Sequence, residues 1–309
     1  MNDFHPLTVS WFKKRFSEAT PVQLKAWSQI RKGGDVLISA PTGSGKTFAA
    51  FLSCLDRLVT RGCHDRLTDQ TSVVYVSPLK ALSNDIYHNL EVPLAELSEL
   101  AAAEGIDLPA VRVATRTGDT SAWEREKMVR RPPHVLVTTP ESLFILVTAE
   151  RSRRRLSAVE TIIVDEIHAL VDNKRGSHLA LTLARLDDLV TRNGSEKPQR
   201  IGLSATVNPI DEVARFLSGS MRTSIGTGQI ERPSTAIVNA GHRRPLDVAI
   251  EVPKEELGAI AINEMWDELY DRICELVLAH RTTIVFVNSR RLSERVAHHL
   301  SERLGSDAV

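Results

Sequence analysis

Short runs of apolar, largely β-branched residues punctuate the first two hundred positions, and most lead into apolar residues at helical spacing. The runs at 35–39, 71–77 and 161–164 read as buried strands, and those at 111–119, 135–142 and 200–206 as shorter strands closing on Ser, Thr and Gly turns. Residues 7–16 predict an amphipathic helix with Leu7, Trp11, Phe12 and Phe16 on its apolar side. Thr20 and Pro21 form an N-cap and first-turn pair for the next helix. Residues 48–58 predict a third helix directly after the first buried strand. Strands alternating with helices predict an α/β fold with a parallel sheet.

From about 221 to 244 the pattern dissolves into Gly, Thr, Ser, Arg and Pro, which marks a boundary. We therefore expect a first domain over 1–232, a linker over 233–245 and a second domain over 246–309. In the second, residues 246–252 alternate like a strand and residues 282–287 read as a buried strand. Between them, 261–280 predict a helix through Ile262, Met265, Trp266, Leu269, Ile273, Leu276 and Val277, and a last helix ends near Leu304. Two strands and two helices are too few to cover a parallel sheet on both faces. The second domain is therefore expected to be partial, with Val285 and Val287 lacking partners.

Composition adds limits rather than direction. Lys+Arg and Asp+Glu both total 39, so net charge gives no argument for a polyanionic partner, although a local basic channel would not show in it. The three cysteines, Cys54, Cys63 and Cys274, lack ligand spacing, which suits a reducing cytoplasm rather than a disulfide or zinc framework. No membrane span or signal peptide is expected.

The candidate chemistry centres on Ala40, Pro41, Thr42, Gly43, Ser44, Gly45, Lys46 and Thr47. Between a strand and a helix, this is the context of a phosphate-binding loop. Gly43 and Gly45 let the backbone approach an anion, and the loop N–H groups and the start of the helix supply partial positive charge. Lys46 reaches β- and γ-phosphates, and Thr47 offers a hydroxyl to Mg²⁺. A Gly-containing turn before an ordinary helix is the competing reading. Ala40 stands where the common pattern has Gly. Gln23, with both a carbonyl and an amide, suits the edge of adenine, against the alternative of a solvated helix Gln. Phe4 is a weaker candidate for stacking on the base. Asp165 and Glu166 end the 161–164 strand, which we expect beside the phosphate-loop strand. Asp165 would hold Mg²⁺ and Glu166 would polarise the attacking water. Ser204 and Thr206, at another strand end, are placed to contact the acidic pair or His168 and to couple nucleotide state to the rest of the protein. Pro78 with Lys80, Thr117 with Gly118, and Thr139 each close a strand with hydroxyl or N–H donors that suit a sugar–phosphate backbone. Helix capping by the same residues is the plainer alternative. The basic run at 151–155 receives no role.

Gln23, the 40–47 loop, residues 78–82, 117–119, 139–141, Asp165-Glu-Ile-His168, Ser204-Ala-Thr206 and residues 285–290 stand in the order of a superfamily 2 DEAD/DEAH-type helicase. The sequence most resembles the large helicase-related, or Lhr-type, branch. The resemblance implies RecA-like P-loop NTPase sheets, the first complete and the second partial here, with ATP and Mg²⁺ as cofactors. It implies single-stranded DNA or RNA as partner, DNA favoured, 3′-to-5′ movement and a setting in DNA repair. It assigns Lys46, Asp165 and Glu166 to hydrolysis, Gln23 and His168 to the nucleotide site, and Arg290 to strand contact. No Gln-x-x-Gly-Arg-x-x-Arg pattern follows Arg290, so the chain is expected to be a truncated form, weak or inactive alone. The alternatives are a nucleotide-gated nucleic-acid-binding module without turnover, a P-loop ATPase acting on protein, and a restriction-type translocase subunit.

Overall fold

The computed structural model describes residues 1, 3–64, 67–219, 222–223, 230–231, 235–239, 247–252 and 263–305. The chain divides into two compact units, Met1–His242 and Arg243–Val309.

The first unit opens with α1 (Pro6–Arg15) and α2 (Pro21–Ile30), then β1 (Val36–Ser39), α3 (Lys46–His64), β2 (Val73–Val76) and α4 (Lys80–Ala103). It continues through β3 (Val113–Arg116), α5 (Ala122–Arg130), β4 (Val135–Thr138), α6 (Pro140–Thr148), α7 (Glu150–Arg153), β5 (Thr161–Val164) and α8 (Lys174–Arg192). β6 (Gln199–Ser204) and α9 (Ile210–Ser218) follow, then β7 (Arg222–Thr223), β8 (Ile230–Glu231) and β9 (Ala236–Asn239). Among the described residues, seven strands form one sheet in the order β3-β4-β2-β5-β6-β1-β9, and every pairing in it is parallel. β7 and β8 form a separate antiparallel pair inside the stretch read as patternless.

The α/β expectation holds, and its physical basis is plain. β1, β2, β4, β5 and β6 are buried at every position. Alternate residues feed two apolar layers. Val36, Ile38, Val73, Tyr75, Val135, Val137 and Ile201 pack with the apolar residues of α1 to α4. Leu37, Val74, Val76, Leu136, Ile162 and Val164 pack with those of α6, α8 and α9. At Gly202 a Cβ would come 2.9 Å from Leu217 and 3.0 Å from Leu37, so α9 lies close over β6 only because that position has no side chain.

The structure corrects five expectations. β5 is not beside β1, because β6 lies between them. Residues 236–239, read as linker, form β9 and pair with β1; only Val238 of this edge strand is buried, so hydropathy marks it weakly. Residues 247–252 are not a strand, and Val248, Ile250 and Val252 are exposed; Leu246 lies outside the described residues. Residues 282–287 are likewise no strand, with Ile284 and Phe286 at 73% and 90% exposure. An apolar run is a buried strand only when neighbouring strands exist to pair with it, and the described residues of the second unit supply helices but no such strand. That unit contains α10 (Asn263–Ala279) and α11 (Arg290–Leu304), joined by Tyr270, Cys274, Val296 and Leu300. Val285 is exposed as expected, but Val287 packs against this small cluster rather than lacking a partner.

Candidate nucleotide and nucleic-acid site

A parallel sheet aims all its strand C-termini at one edge, and in open α/β sheets that edge binds ligands. β1 leads there to the 40–47 loop, β5 to Asp165 and Glu166, and β6 to Ser204. β2, β4 and β3 lead to Pro78, Thr139 and Thr117, so the nucleotide candidates occupy one half of the edge and the strand-contact candidates the other.

The loop has the backbone a phosphate cradle needs. Gly43 and Gly45 have φ of +80° and +83°, where an L side chain is strained. A Cβ on Gly43 would meet open space, whereas one on Gly45 would come 2.6 Å from Gln23 Nε2. Ala40 is buried and its N–H bonds to the Ser204 carbonyl at 3.1 Å; Pro41 and Ser44 close the turn through Ser44 N–H to Pro41 O at 3.3 Å. Thr42 is exposed and Thr47 half-buried. Lys46 is buried at 5% exposure, begins α3 and makes no ion pair among the described residues.

Gln23 sits against the loop through a capping box. Thr20 Oγ1 accepts from Gln23 N at 3.3 Å, and Gln23 Oε1 accepts from Thr20 N at 2.9 Å. Thr20 Oγ1 also donates to the Ser44 carbonyl at 3.1 Å. Gln23 is therefore buried, its carbonyl engaged and its amide above Gly45. Phe4 lies in the core, edge-on to Trp27 at 5.1 Å between centroids.

The acidic pair faces the loop across the end of β6, which closes with the small Ser204 and Ala205. Burial pushes the Asp165 carboxyl above its ordinary range; the Tyr75 hydrogen bond opposes this, the Glu166 charge adds to it, and the nearby Lys46 charge opposes it. Asp165 Oδ1 accepts the Glu166 N–H at 2.9 Å, and Glu166 adopts a left-handed conformation with φ of +43°. Strain of this kind in a non-glycine residue is characteristic of functional turns. His168 Nδ1 lies 3.4 Å from Glu166 Oε2, 3.3 Å from Ser204 Oγ and 3.3 Å from the Ala205 nitrogen. The Ser204–His168 contact thus forms as expected, while Thr206 is exposed and holds none of these groups.

The donor set suits a magnesium nucleotide. Among the described residues Ser44 Oγ is buried without a partner, Gly43 leaves its cradle open, and Thr47 and Asp165 offer hard oxygen donors. Among the described residues no three His, Cys, Asp or Glu side chains gather to hold a metal, and an ion sharing its shell with phosphates and water needs no such cluster.

On the other half of the edge, Thr139 caps α6 by accepting from Ser142 N at 3.4 Å. Thr117 N bonds to Thr120 Oγ1 at 2.9 Å, and Gly118 is exposed. Thr117 and Thr139 are themselves buried, so their loops rather than their side chains meet solvent. Pro78 is buried and the Lys80 side chain lies outside the described residues. Arg290 is in the second unit, exposed, 3.2 Å from Glu294. Two neighbours escaped the sequence reading. Arg175 ties two of these loops together, donating to Glu141 at 2.7 Å and to the Pro78 carbonyl at 2.9 Å. Tyr75 donates its hydroxyl to Asp165 Oδ2. A lone Tyr in a run of valines is the one sequence signal for the latter.

Residues 20–215 match the DEAD/DEAH box helicase family. The chain is 46% identical over 293 residues to the ATP-dependent helicase Lhr-Core protein 2 of Thermococcus barophilus, covering 95% of this chain and 33% of that protein. It is 44% identical over 299 residues to the Lhr helicase/probable uracil glycosylase of Mycolicibacterium smegmatis, covering 97% of this chain and 19% of that one. Among solved structures, Mycobacterium smegmatis helicase Lhr bound to ssDNA and AMP-PNP superposes with a TM-score of 0.78 at 44% identity, over 98% of this chain and 37% of the other. The chain thus spans a third or less of the length of these two curated relatives. The family match covers more than half of the chain and takes in both Lys46 and Asp165, and the chain therefore belongs to the DEAD/DEAH box helicase family.

Proposed function

We propose that this chain provides the nucleotide-binding part of an ATP-dependent translocase of the Lhr type, moving 3′-to-5′ on single-stranded nucleic acid, DNA before RNA, in DNA repair. The observation that carries the reading is the single sheet edge on which Lys46, Asp165 and Glu166 share a site beside the Pro78, Thr117–Gly118 and Thr139 loops. The 40–47 loop and Lys46 bind the phosphates and Gln23 borders the nucleotide. Mg²⁺, held by Thr47 and Asp165, would neutralise charge developing on the phosphates. Glu166 orients the attacking water, and His168 links it to Ser204, so that β6 senses the nucleotide. Backbone N–H groups, Lys80 and Arg290 grip the strand without base readout, which makes binding salt-dependent. A RecA-like first domain that runs on through β9 and a second over 246–309 are the domain assignment we favour, with the three free cysteines suiting the cytoplasm.

The 309 residues alone, which contain no Gln-x-x-Gly-Arg-x-x-Arg pattern, are expected to bind Mg·ATP and turn it over slowly. Loss of an arginine finger costs on the order of 10³–10⁵ in rate. Steady-state ATP hydrolysis with and without single-stranded DNA tests the reading, with Glu166→Gln beside it. Expected are ATP binding by both proteins, DNA-stimulated turnover by the parent and none by the variant. Equal turnover by the two would refute the role of Glu166. ATP binding with no turnover in either would favour a nucleotide-gated binding module.

A further inference from the structure

Tyr75 has no part in the reading so far, yet it touches its central carboxylate. β2 is buried throughout, and at this position the core requires only a flat apolar ring. Phe51 of α3 supplies the stacking partner, with centroids 4.8 Å apart and planes at 22°. A phenylalanine would fill that space equally well, so packing does not account for the hydroxyl. A buried hydroxyl must find a partner, and here it donates to Asp165 Oδ2. Asp165 Oδ1 accepts the Glu166 N–H at 2.9 Å, and the Asp165 backbone N–H bonds to the Val76 carbonyl at 2.9 Å. The carboxylate is thus held at both oxygens, one from its own loop and one from β2. Each oxygen keeps a lone pair for a further ligand.

We propose that Tyr75 is a positioning residue for the metal site: its hydroxyl fixes the Asp165 carboxylate in the orientation that receives Mg²⁺ with the nucleotide. Without the hydroxyl, Asp165 keeps one hydrogen bond and can rotate about its side-chain torsions. Outer-shell partners of this kind are worth about 10–100-fold in metal affinity. Tyr75 also joins two parts of the site that are distant in sequence, since Phe51 lies on the helix that begins with Lys46 and Thr47. The inference rests on the magnesium-nucleotide reading above.

The test uses the full 309-residue chain and Tyr75→Phe, with a thermal melt to verify folding. Fluorescent N-methylanthraniloyl-ADP is first titrated in EDTA, where metal plays no part. Free Mn²⁺ is then followed by electron paramagnetic resonance in the presence of saturating ADP. The expected result is nucleotide affinity in EDTA within twofold of the parent, with Mn²⁺ affinity in the ternary complex lower by about tenfold or more. Mn²⁺ affinity within twofold of the parent would overturn the proposal while leaving the nucleotide reading intact. A parent that binds no nucleotide would overturn that reading and this one with it. Phe51→Leu, which removes the stack and keeps the hydroxyl, separates packing from hydrogen bonding. It should hold Mn²⁺ within threefold of the parent, and a loss equal to that of Tyr75→Phe would assign the effect to packing and refute the role of the hydroxyl.

Discussion

Replacing Gly176 by alanine adds one methyl group where the structure has no room for it. Gly176 lies in the first turn of α8, and its N–H bonds to the side chain of the N-cap Asn173 at 3.1 Å. A Cβ there would sit 1.8 Å from the Leu170 carbonyl oxygen, 2.7 Å from the Leu170 carbonyl carbon and 3.4 Å from Phe216 Cζ. The obstacle is backbone, not the tip of a flexible side chain, so α8 or the 167–170 segment must move by more than ~1 Å. Overpacking of this kind costs about 1–3 kcal/mol, and a backbone clash belongs at the upper end. Alanine returns at most about 1 kcal/mol through its helix propensity. The net destabilisation is then roughly 2 kcal/mol, which for a unit of this size lowers Tm by about 4–8 °C. The sign is the decisive part, because an unhindered helical Gly→Ala change stabilises. Thermal unfolding followed by circular dichroism measures it, with Gly34→Ala as control, since a Cβ at Gly34 meets nothing within 4 Å. The displaced segment carries His168, so nucleotide affinity should fall as well. A Gly176→Ala protein as stable as the parent, or more stable, would refute the contact between α8 and the loop after the acidic pair.

Arg200→Ala should destabilise by about 2–4 kcal/mol in urea unfolding, because Arg200 is 3% exposed and bonds to Asp187 and the Leu217 carbonyl, both at 2.7 Å. Lys197, 3.4 Å from Asp187, keeps the loss below that of a wholly orphaned charge. Trp27→Phe removes the 3.0 Å bond from the indole N–H to the Ala49 carbonyl and should cost about 1 kcal/mol, since Ser53 Oγ still bonds to that carbonyl at 3.2 Å. Burial, reinforced by the Arg112 charge, holds the His134 imidazole down at about 4. Its folded pKa lies below the unfolded value, so its contribution is intact above about pH 6.5 and is lost as pH falls towards 4. His134→Gln should flatten that limb of the stability–pH curve, and an unchanged slope would refute the assignment.

Local chemistry was legible where a motif completes itself within a few residues. Thr20 and Pro21 announced a capped helix, and the helix is there, with Gln23, read only as a contact to adenine, completing its capping box. The 40–47 loop between an apolar run and a helical pattern announced its own glycine geometry. Strand order was not legible, because the same alternation of strand and helix permits several orders; hence β6 was missed between β5 and β1. β9 was missed because an edge strand with one buried residue carries little hydropathy signal. Residues 282–287 misled for the opposite reason, since apolar content records what a segment would bury and not what is present to cover it. Arg175 and Tyr75 were invisible because each acts through a contact about 90 residues or more away in sequence.

The placement of β1 in the sheet bears on how the protein comes into being. β1 precedes the phosphate loop directly, yet its two sheet neighbours are β6, with Val36 beside Ile201, and β9, with Val36 beside Ala236. Both neighbours leave the ribosome long after the loop itself. Until they do, β1 has neither ladder partner, and the Ala40 N–H lacks the Ser204 carbonyl that anchors the start of the loop. Pairings so distant in sequence make folding slow and leave strand edges open in the meantime. A nascent chain ending before β6 therefore leaves both edges of β1 open, and the loop that is made early becomes a nucleotide site only about two hundred residues later.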